Sequence, residues 1–442
     1  MKSLNLALII ISGSIMMSRL IKYYPYSNWS LIIIFIFGFL LIFFSFLFFL
    51  NDELRKKILL IFTSTILTIF VINPFLSFFT ERYNDDVARV KTAKKEKIFF
   101  DSRNKLEVIK DLKKNNPNVY PSITQSGAYK KLGDKLSFLP LSGISESITV
   151  HCNEIGEWSI YQSDKYGFNN KKFKFDNIST KRVLIVGDSF AHGACVPQDQ
   201  TISGWLNKSI DVQSRSLGME GNGPLAVYAS IKEYANYLEP THIVWILFDN
   251  DVGDLNNELK NKFLSKYLQQ DFSQNLINKQ EKIDTIYKNF VKEGLTEKIL
   301  IKNKTKNFLD KCLSLYYVRK LLGFTKYKYE AKEIKDFSKL KKIIKLIDKY
   351  SQQINSKFFI VYVPNYLHFL NKNDFKRKLS PVVLNIKNLE NELNSTKIKW
   401  LNFYQVMLES ENHLNFYPFK LKGHFTPQGY KTLAKEIQNF LQ

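Results

Sequence analysis

The serine at position 189 lies in VLIVGDSFAHGACV (183–196), just after the apolar run 183–186 and the pair Gly187-Asp188. Four apolar residues running into Gly-Asp have the pattern of a buried strand that ends in a tight turn. A hydroxyl there is either a helix cap or a nucleophile, and a nucleophile needs a base and oxyanion donors within reach. Three later segments carry residues of those types. SLGMEGNGP (216–224) has Gly218, Gly221 and Gly223, where backbone N–H groups can approach a substrate closely; alone it is also an ordinary flexible loop. FDNDVGDL (248–255) has Asn250, whose amide donates without adding charge and which is equally a turn or helix cap. LKGHFTPQGYKTLAKEI (421–437) has His424, and an imidazole of ordinary pKa near ~6.5 can take a serine proton at neutral pH.

These residues need a scaffold that brings distant segments to one edge. Five apolar strand candidates, RVLIVG from 182, DVQSRSLG from 211, THIVWILF from 241, KFFIVYVP from 357 and KIKWLNFY from 397, alternate with helical or longer connections. That alternation predicts a parallel sheet covered by helices on both faces. Ligands of such sheets sit beyond the carboxyl ends of the strands, which is where Ser189, Gly221 and Asn250 fall. The gap between the third and fourth strands exceeds what one crossover needs, so 256–350 reads as a helical insertion containing FSQNLINKQEKIDTIYKNFVKEGL and KLKKIIKLIDKYSQQI. Upstream, ITVHCNEIGEWSIYQSDKYGFNN (148–170) reads as a hairpin joined through Ile155-Gly156. The charged, helix-prone stretch from 80 to about 115 reads as a stalk.

The apolar weight of the 442 residues is at the front. WSLIIIFIFGFLLIFFSFLFFL (29–50) has no charge and is long enough as a helix to span a hydrocarbon core of roughly 30 Å. ILLIFTSTILTIFVINPFLSFF (58–79) is a second span, with Asn73-Pro74 tolerable inside lipid, and 4–18 reads as a third. Arg55, Lys56 and Lys57 crowd the short connection 51–57, which argues that this loop is cytoplasmic. The chain then divides into a membrane region (1–80), a stalk and linker (81–147) and a large domain (148–442) facing the periplasm or exterior of the cytoplasmic membrane.

The formal net charge is +23, but the lysines are spread along the chain and form no basic stripe, which argues against a nucleic-acid reader. No histidine pair has metal-ligand spacing, and DNDVGD followed by Leu255 lacks the ligand pattern of a hand-type calcium loop. His151, His192, His242, His368 and His413 read as structural. Among three cysteines, Cys152 and Cys195 either pair in an oxidising compartment, leaving Cys312 free, or all three are buried thiols.

GDS, then Gly, then Asn-Asp, then Gly-His, each past a strand, resembles the SGNH hydrolase family, also called GDSL-like lipases and esterases. Gly187-Asp188-Ser189 resembles its first block, Gly221 the second, Asn250-Asp251 the third and His424 the last. The resemblance covers 182–440. LPLSGIS, CNEIGEWSIYQSDKYGFNN and DFSQNLINKQ extend it to about residue 100 and resemble a membrane-anchored bacterial subgroup. It implies a three-layer α/β/α, flavodoxin-like sheet with Ser189 as nucleophile and His424 as general base. The implied oxyanion hole uses the N–H groups of Ser189 and Gly221 and the amide of Asn250, with no cofactor or metal.

One departure stands out. Family members commonly carry an aspartate two or three residues before the histidine; here Lys422 and Leu421 occupy those positions. Three accounts compete: a Ser-His dyad oriented by a backbone carbonyl, a carboxylate from elsewhere such as Glu409 or Glu411, or a site no longer catalytic. Asp188 is a poor substitute, because adjacent side chains on a turn diverge. The expected activity is ester hydrolysis or O-acyl transfer on an ester-bearing substrate, with an O-acetylated polysaccharide as the substrate class and membrane lipid as the partner of the N-terminal helices. The rival expectation is a non-catalytic, membrane-tethered glycan-binding or assembly protein.

Overall fold

The computed structural model describes residues 2–22, 28–76, 85–176, 181–294, 308–321, 332–334, 337–369 and 382–442. The last residues of the expected 58–79 span, and parts of the expected insertion, lie outside them. Contacts divide the chain into two units: 1–81 with 307–325, and 82–306 with 326–442.

In the larger unit, β1 (Val119–Pro121), β2 (Ile148–Val150) and β3 (Ile160–Gln162) form a small sheet in which β2 and β3 are antiparallel. This is the hairpin expected around Ile155-Gly156. The main sheet consists of β4 (Lys181–Gly187), β5 (Val212–Ser216), β6 (His242–Phe248), β8 (Lys357–Val363) and β10 (Lys399–Asn402). Between these, β7 (Lys332–Ile334) pairs in parallel with β9 (Val382–Leu384) and, among the described residues, with no other strand. All five main strands are parallel, in the order β10-β8-β6-β4-β5. Counted along the sheet's own strands, this is the doubly wound order 2-1-3-4-5, with its switch point beside the first strand. The expected flavodoxin-like sheet is therefore present.

Burial on both faces explains why β4, β6 and β8 read as continuous apolar runs, whereas the two edge strands, β5 (VQSRS) and the less buried β10, do not. Successive side chains point to opposite faces. Leu184, Val186, Ile243, Trp245 and Ile360 join one core with the helices Pro224–Leu238 and Ser338–Gln353. Val183, Ile185, Val244, Ile246 and Val361 join the other with Phe403–Leu408 and Pro427–Phe440. Ser338–Gln353, assigned from sequence to the insertion, is thus a helix of the sheet's own covering layer. Gln280–Lys292 packs on the same core through Ile283, Tyr287 and Phe290.

The smaller unit contains helices Lys2–Lys22, Asn28–Phe46 and Asp52–Phe75. Among the described residues, only Asp52–Phe75 is long and apolar enough to cross a membrane; Leu6–Met16 and Phe37–Phe49 are shorter apolar stretches. Arg55 is buried and donates to the carbonyls of Leu47, Phe48 and Leu50, so it caps the chain arriving from the preceding helix as well as pairing with Asp52.

Candidate active site

Ser189 opens the short helix Ser189–His192 directly after β4. Asp188 is its N-cap and accepts from the Phe190 N–H at 2.9 Å. The turn requires glycine at 187: φ is +147°, and a Cβ there would stand 2.7 Å from the Ile246 carbonyl on β6. The hydroxyl is thereby held at the carboxyl edge of the sheet, at a helix N-terminus. Burial pushes the Asp188 carboxyl up to about 7 despite that capping bond.

His424 lies in the connection that precedes Pro427–Phe440, a helix capped by Thr426, whose hydroxyl accepts from the Gly429 N–H. The fully buried ring of Phe425 anchors the loop against Phe190, Phe403 and Tyr430. His424 Nε2 reaches Ser189 Oγ at 2.8 Å. Two residues 235 positions apart, which the sequence offers as base and nucleophile, thus come within hydrogen-bonding distance.

The carboxylate that completes the array is Glu154. Its Oε2 lies 3.2 Å from His424 Nδ1 and accepts the His424 backbone N–H at 2.6 Å. A carboxylate facing Nδ1 favours the tautomer protonated there, leaving Nε2 to accept the serine proton. Glu409 and Glu411, the sequence candidates, are exposed beyond the helix Phe403–Leu408 and do not meet the ring. The account invoking a carboxylate from elsewhere is right in kind and wrong in residue. A carboxylate 270 positions away leaves no local trace beside His424.

Glu154 sits at the tip of the β2–β3 hairpin, which four devices hold. Gly156, at φ +108°, lets the backbone of 99–101 lie against the tip, where the Phe99 carbonyl occupies the place of a side chain. Asp101 N–H donates to the Gly156 carbonyl, while Asn153 joins the Gly156 N–H to the Asp101 carbonyl. Arg89, buried, lies 3.2 Å from Glu154 Oε1 and donates to the Lys422 carbonyl at 2.6 Å, bridging the carboxylate and the histidine loop. Arg89 belongs to the helix Asp85–Glu96, in the segment read as a stalk. Finally, Cys152 and Cys195 form a disulfide that links the hairpin to the loop after Ser189.

Removal from water pulls the His424 pKa down, but Glu154, with Asp188 and Glu220 farther off, outweighs this and holds it above the ordinary 6.5. Burial alone would raise Glu154; the His424 and Arg89 charges and the bonds from His424 instead hold its carboxyl at about 2. Glu154, Cys195 and His424 present ligand atoms close together, as a metal site would. The Cys195 sulfur, however, is in the disulfide and offers no thiolate.

Gly221 and Asn250 occupy neighbouring loops at the same edge. The loop after β5 is tied to β4 by Leu217 N–H to the Ile185 carbonyl and Met219 N–H to the Gly187 carbonyl. Asn250 follows β6, whose Ile246 pairs with Gly187, and is exposed; its side chain does not cap the helix Asp251–Glu258. Neither residue hydrogen-bonds Ser189 among the described residues. Nearby, a cavity of about 20 Å³, room for one water, is lined by Thr149, His151, Tyr161, His192, Met219 and Glu220; it does not reach Ser189.

A doubly wound parallel sheet carrying serine, imidazole and carboxylate in hydrogen-bonding sequence at its carboxyl edge is a site built for nucleophilic acyl chemistry. No family model matches this sequence, and no curated protein matches it. Among solved structures, it is similar to a putative lipolytic protein of the G-D-S-L family from Desulfitobacterium hafniense DCB-2, at 10% identity and TM-score 0.31, covering 59% of this chain and 99% of that one. A lipase/acylhydrolase from Enterococcus faecalis matches at 10% identity and TM-score 0.32, covering 59% and 94%. A catalytic mutant of an acetylxylan esterase from Geobacillus stearothermophilus matches at 11% and 0.32, covering 60% and 94%. At such scores the sheet order and the hydrogen-bonded array carry the reading by themselves.

Proposed function

We propose that this protein is a membrane-anchored serine ester hydrolase or O-acyltransferase acting on an acylated extracytoplasmic glycan or related ester. The observation that carries the reading is the unbroken relay from Ser189 Oγ through His424 to Glu154 and Arg89. Ser189 Oγ attacks the ester carbonyl and its proton passes to His424 Nε2, while Glu154 offsets the imidazolium charge across Nδ1–H. The tetrahedral oxygen is met by the N–H groups of Ser189 and Gly221 and the amide of Asn250. Collapse expels the alcohol, which takes the proton from Nε2 and leaves an acyl-serine. Water or a sugar hydroxyl then gives its proton to Nε2 and accepts the acyl group, and Nε2 returns that proton to Ser189 Oγ as the acyl–serine bond breaks, restoring both residues.

The disulfide supports an extracytoplasmic site, because such bonds persist in oxidising compartments. The glycan rests on that location alone. The non-catalytic alternative drew on the lack of an aspartate at 421 or 422, and Glu154 takes away that ground. The test is labelling by a fluorophosphonate together with turnover of p-nitrophenyl acetate by the full-length protein. Both are expected to vanish in Ser189→Ala; persistence of both would overturn the assignment.

A further inference from the structure

Asn73 lies two residues before the end of the helix Asp52–Phe75 and is fully buried. An amide in a lipid-spanning helix is costly unless its donors and acceptor are satisfied. Here they are satisfied by a segment more than two hundred residues away. Asn73 Nδ2 donates to the Cys312 carbonyl at 2.8 Å, and its Oδ1 accepts the backbone N–H groups of Tyr317 and Val318, each at 3.1 Å. Residues 308–313 are helical, the chain breaks at 314–315 with Leu315 at φ +51°, and Tyr316–Leu321 is helical again. One side chain thus serves the carbonyl end of the first turn and the N–H end of the second. That match explains why 307–325, inside the expected insertion of the soluble domain, groups with the membrane unit.

The segment leaves large apolar side chains uncovered. Phe308, Leu309, Leu313 and Leu321 are 44%, 51%, 72% and 64% exposed, while Tyr317 is buried. They lie in the same unit as the exposed Phe70, Val71, Ile72 and Phe75 that flank Asn73 on its own helix. Around them the sequence is basic: Lys304, Lys306, Lys311, Arg319, Lys320 and Lys326 against Asp310 alone. Uncovered apolar side chains with basic flanks, continuous with a spanning helix, fit the boundary between acyl chains and anionic headgroups.

We infer that residues 308–321 form an interfacial lipid-binding element, docked through Asn73 at the outer end of Asp52–Phe75, whose partner is an anionic bilayer. The inference rests on the reading of Asp52–Phe75 as a membrane span. The chain is then attached to the membrane a second time, from within the connection that separates β6 from β8.

The test uses the full-length protein in nanodiscs of phosphatidylcholine with or without phosphatidylglycerol. With Cys152 and Cys195 paired, Cys312→Ser leaves a background in which Leu313→Cys, or Phe70→Cys as control, takes a single nitroxide label. The label at 313 is expected to collide with oxygen in preference to a water-soluble nickel chelate, and this preference should rise about twofold with phosphatidylglycerol and fall back in high salt. Adding Asn73→Ala should mobilise the label at 313 and leave that at 70 unchanged. A label at 313 open to the chelate while that at 70 sees lipid would overturn the inference and spare the span. Shielding of 313 from both reagents would overturn it in favour of a protein contact, and chelate access at both positions would overturn the span as well.

Discussion

Two histidines at the carboxyl edge of the sheet each meet a carboxylate, and only one of them belongs to the site. His424 Nδ1 lies 3.2 Å from Glu154, and His368 Nε2 lies 2.9 Å from Asp249. By distance the second pair is the closer, and its aspartate is wholly buried. What separates them is the remaining contacts. His424 offers its other nitrogen to Ser189 Oγ, whereas Asp249 is also bonded by Tyr362 and by the Asn365 N–H, fastening the turn after β8 to the end of β6. A third pair, His151 with Glu220 at 3.0 Å, turns its Nδ1 toward Cys152 Sγ. An imidazole and a carboxylate in contact are therefore a structural unit by default. They become a base when the second nitrogen faces a nucleophile.

The comparison breaks most sharply at the nucleophile and base. Ser189→Ala or His424→Ala should each lower kcat by at least ~10⁴-fold in an ester assay, because members of such an array fail as a unit. A residual rate within tenfold of the native protein would sink the distinction between the two histidines. Glu154→Gln keeps the shape and removes the charge, and should cost up to about 10⁴-fold in kcat. It should also move the pH profile. The base works when neutral, so activity rises with pH through the His424 pKa, which the native carboxylate holds above 6.5. Without that charge the rising limb shifts to lower pH; an unmoved limb would argue that Glu154 is only scaffolding.

Smaller effects sharpen the contrast. Asn250→Ala should lower kcat by about 10²- to 10³-fold with little change in KM, as for a donor used mainly in the transition state. Replacing Cys152 and Cys195 together by alanine frees the hairpin that carries Glu154. It should remove about 2–4 kcal/mol of stability, read by denaturant unfolding of the full chain in detergent. Activity should fall by up to about 10²-fold, as for a catalytic group displaced by an ångström or so. Least of all, His368→Gln should leave kcat/KM within about threefold while costing about 1 kcal/mol of stability through the one lost bond to Asp249, which keeps Tyr362 and the Asn365 N–H. A large catalytic loss in that variant would show that the two pairs had been wrongly ranked.

The parts of this protein legible in its sequence are those whose signal is local. Continuous apolar runs betray strands buried on two faces, Gly-Asp-Ser betrays a strand ending in a capped turn, and position at strand ends ties Ser189, Gly221 and Asn250 to one edge. Glu154 was not legible, since any of several acids satisfies the need for a carboxylate and nothing near His424 favours one. The signal that did exist was indirect: Cys152 is two residues from Glu154, and its pairing with Cys195 brings that hairpin to the loop after Ser189. Arg89 was hidden among the lysines of an apparent stalk, and its burial is set by partners on two other segments.

By itself the sequence determined which stretches are the strands and helices of the sheet, because periodicity and turn chemistry act over a few neighbouring residues. Only the tertiary structure decided which acid serves His424 and which loop satisfies Asn73, because hydrogen-bond partners hundreds of positions apart are chosen by where packing delivers them.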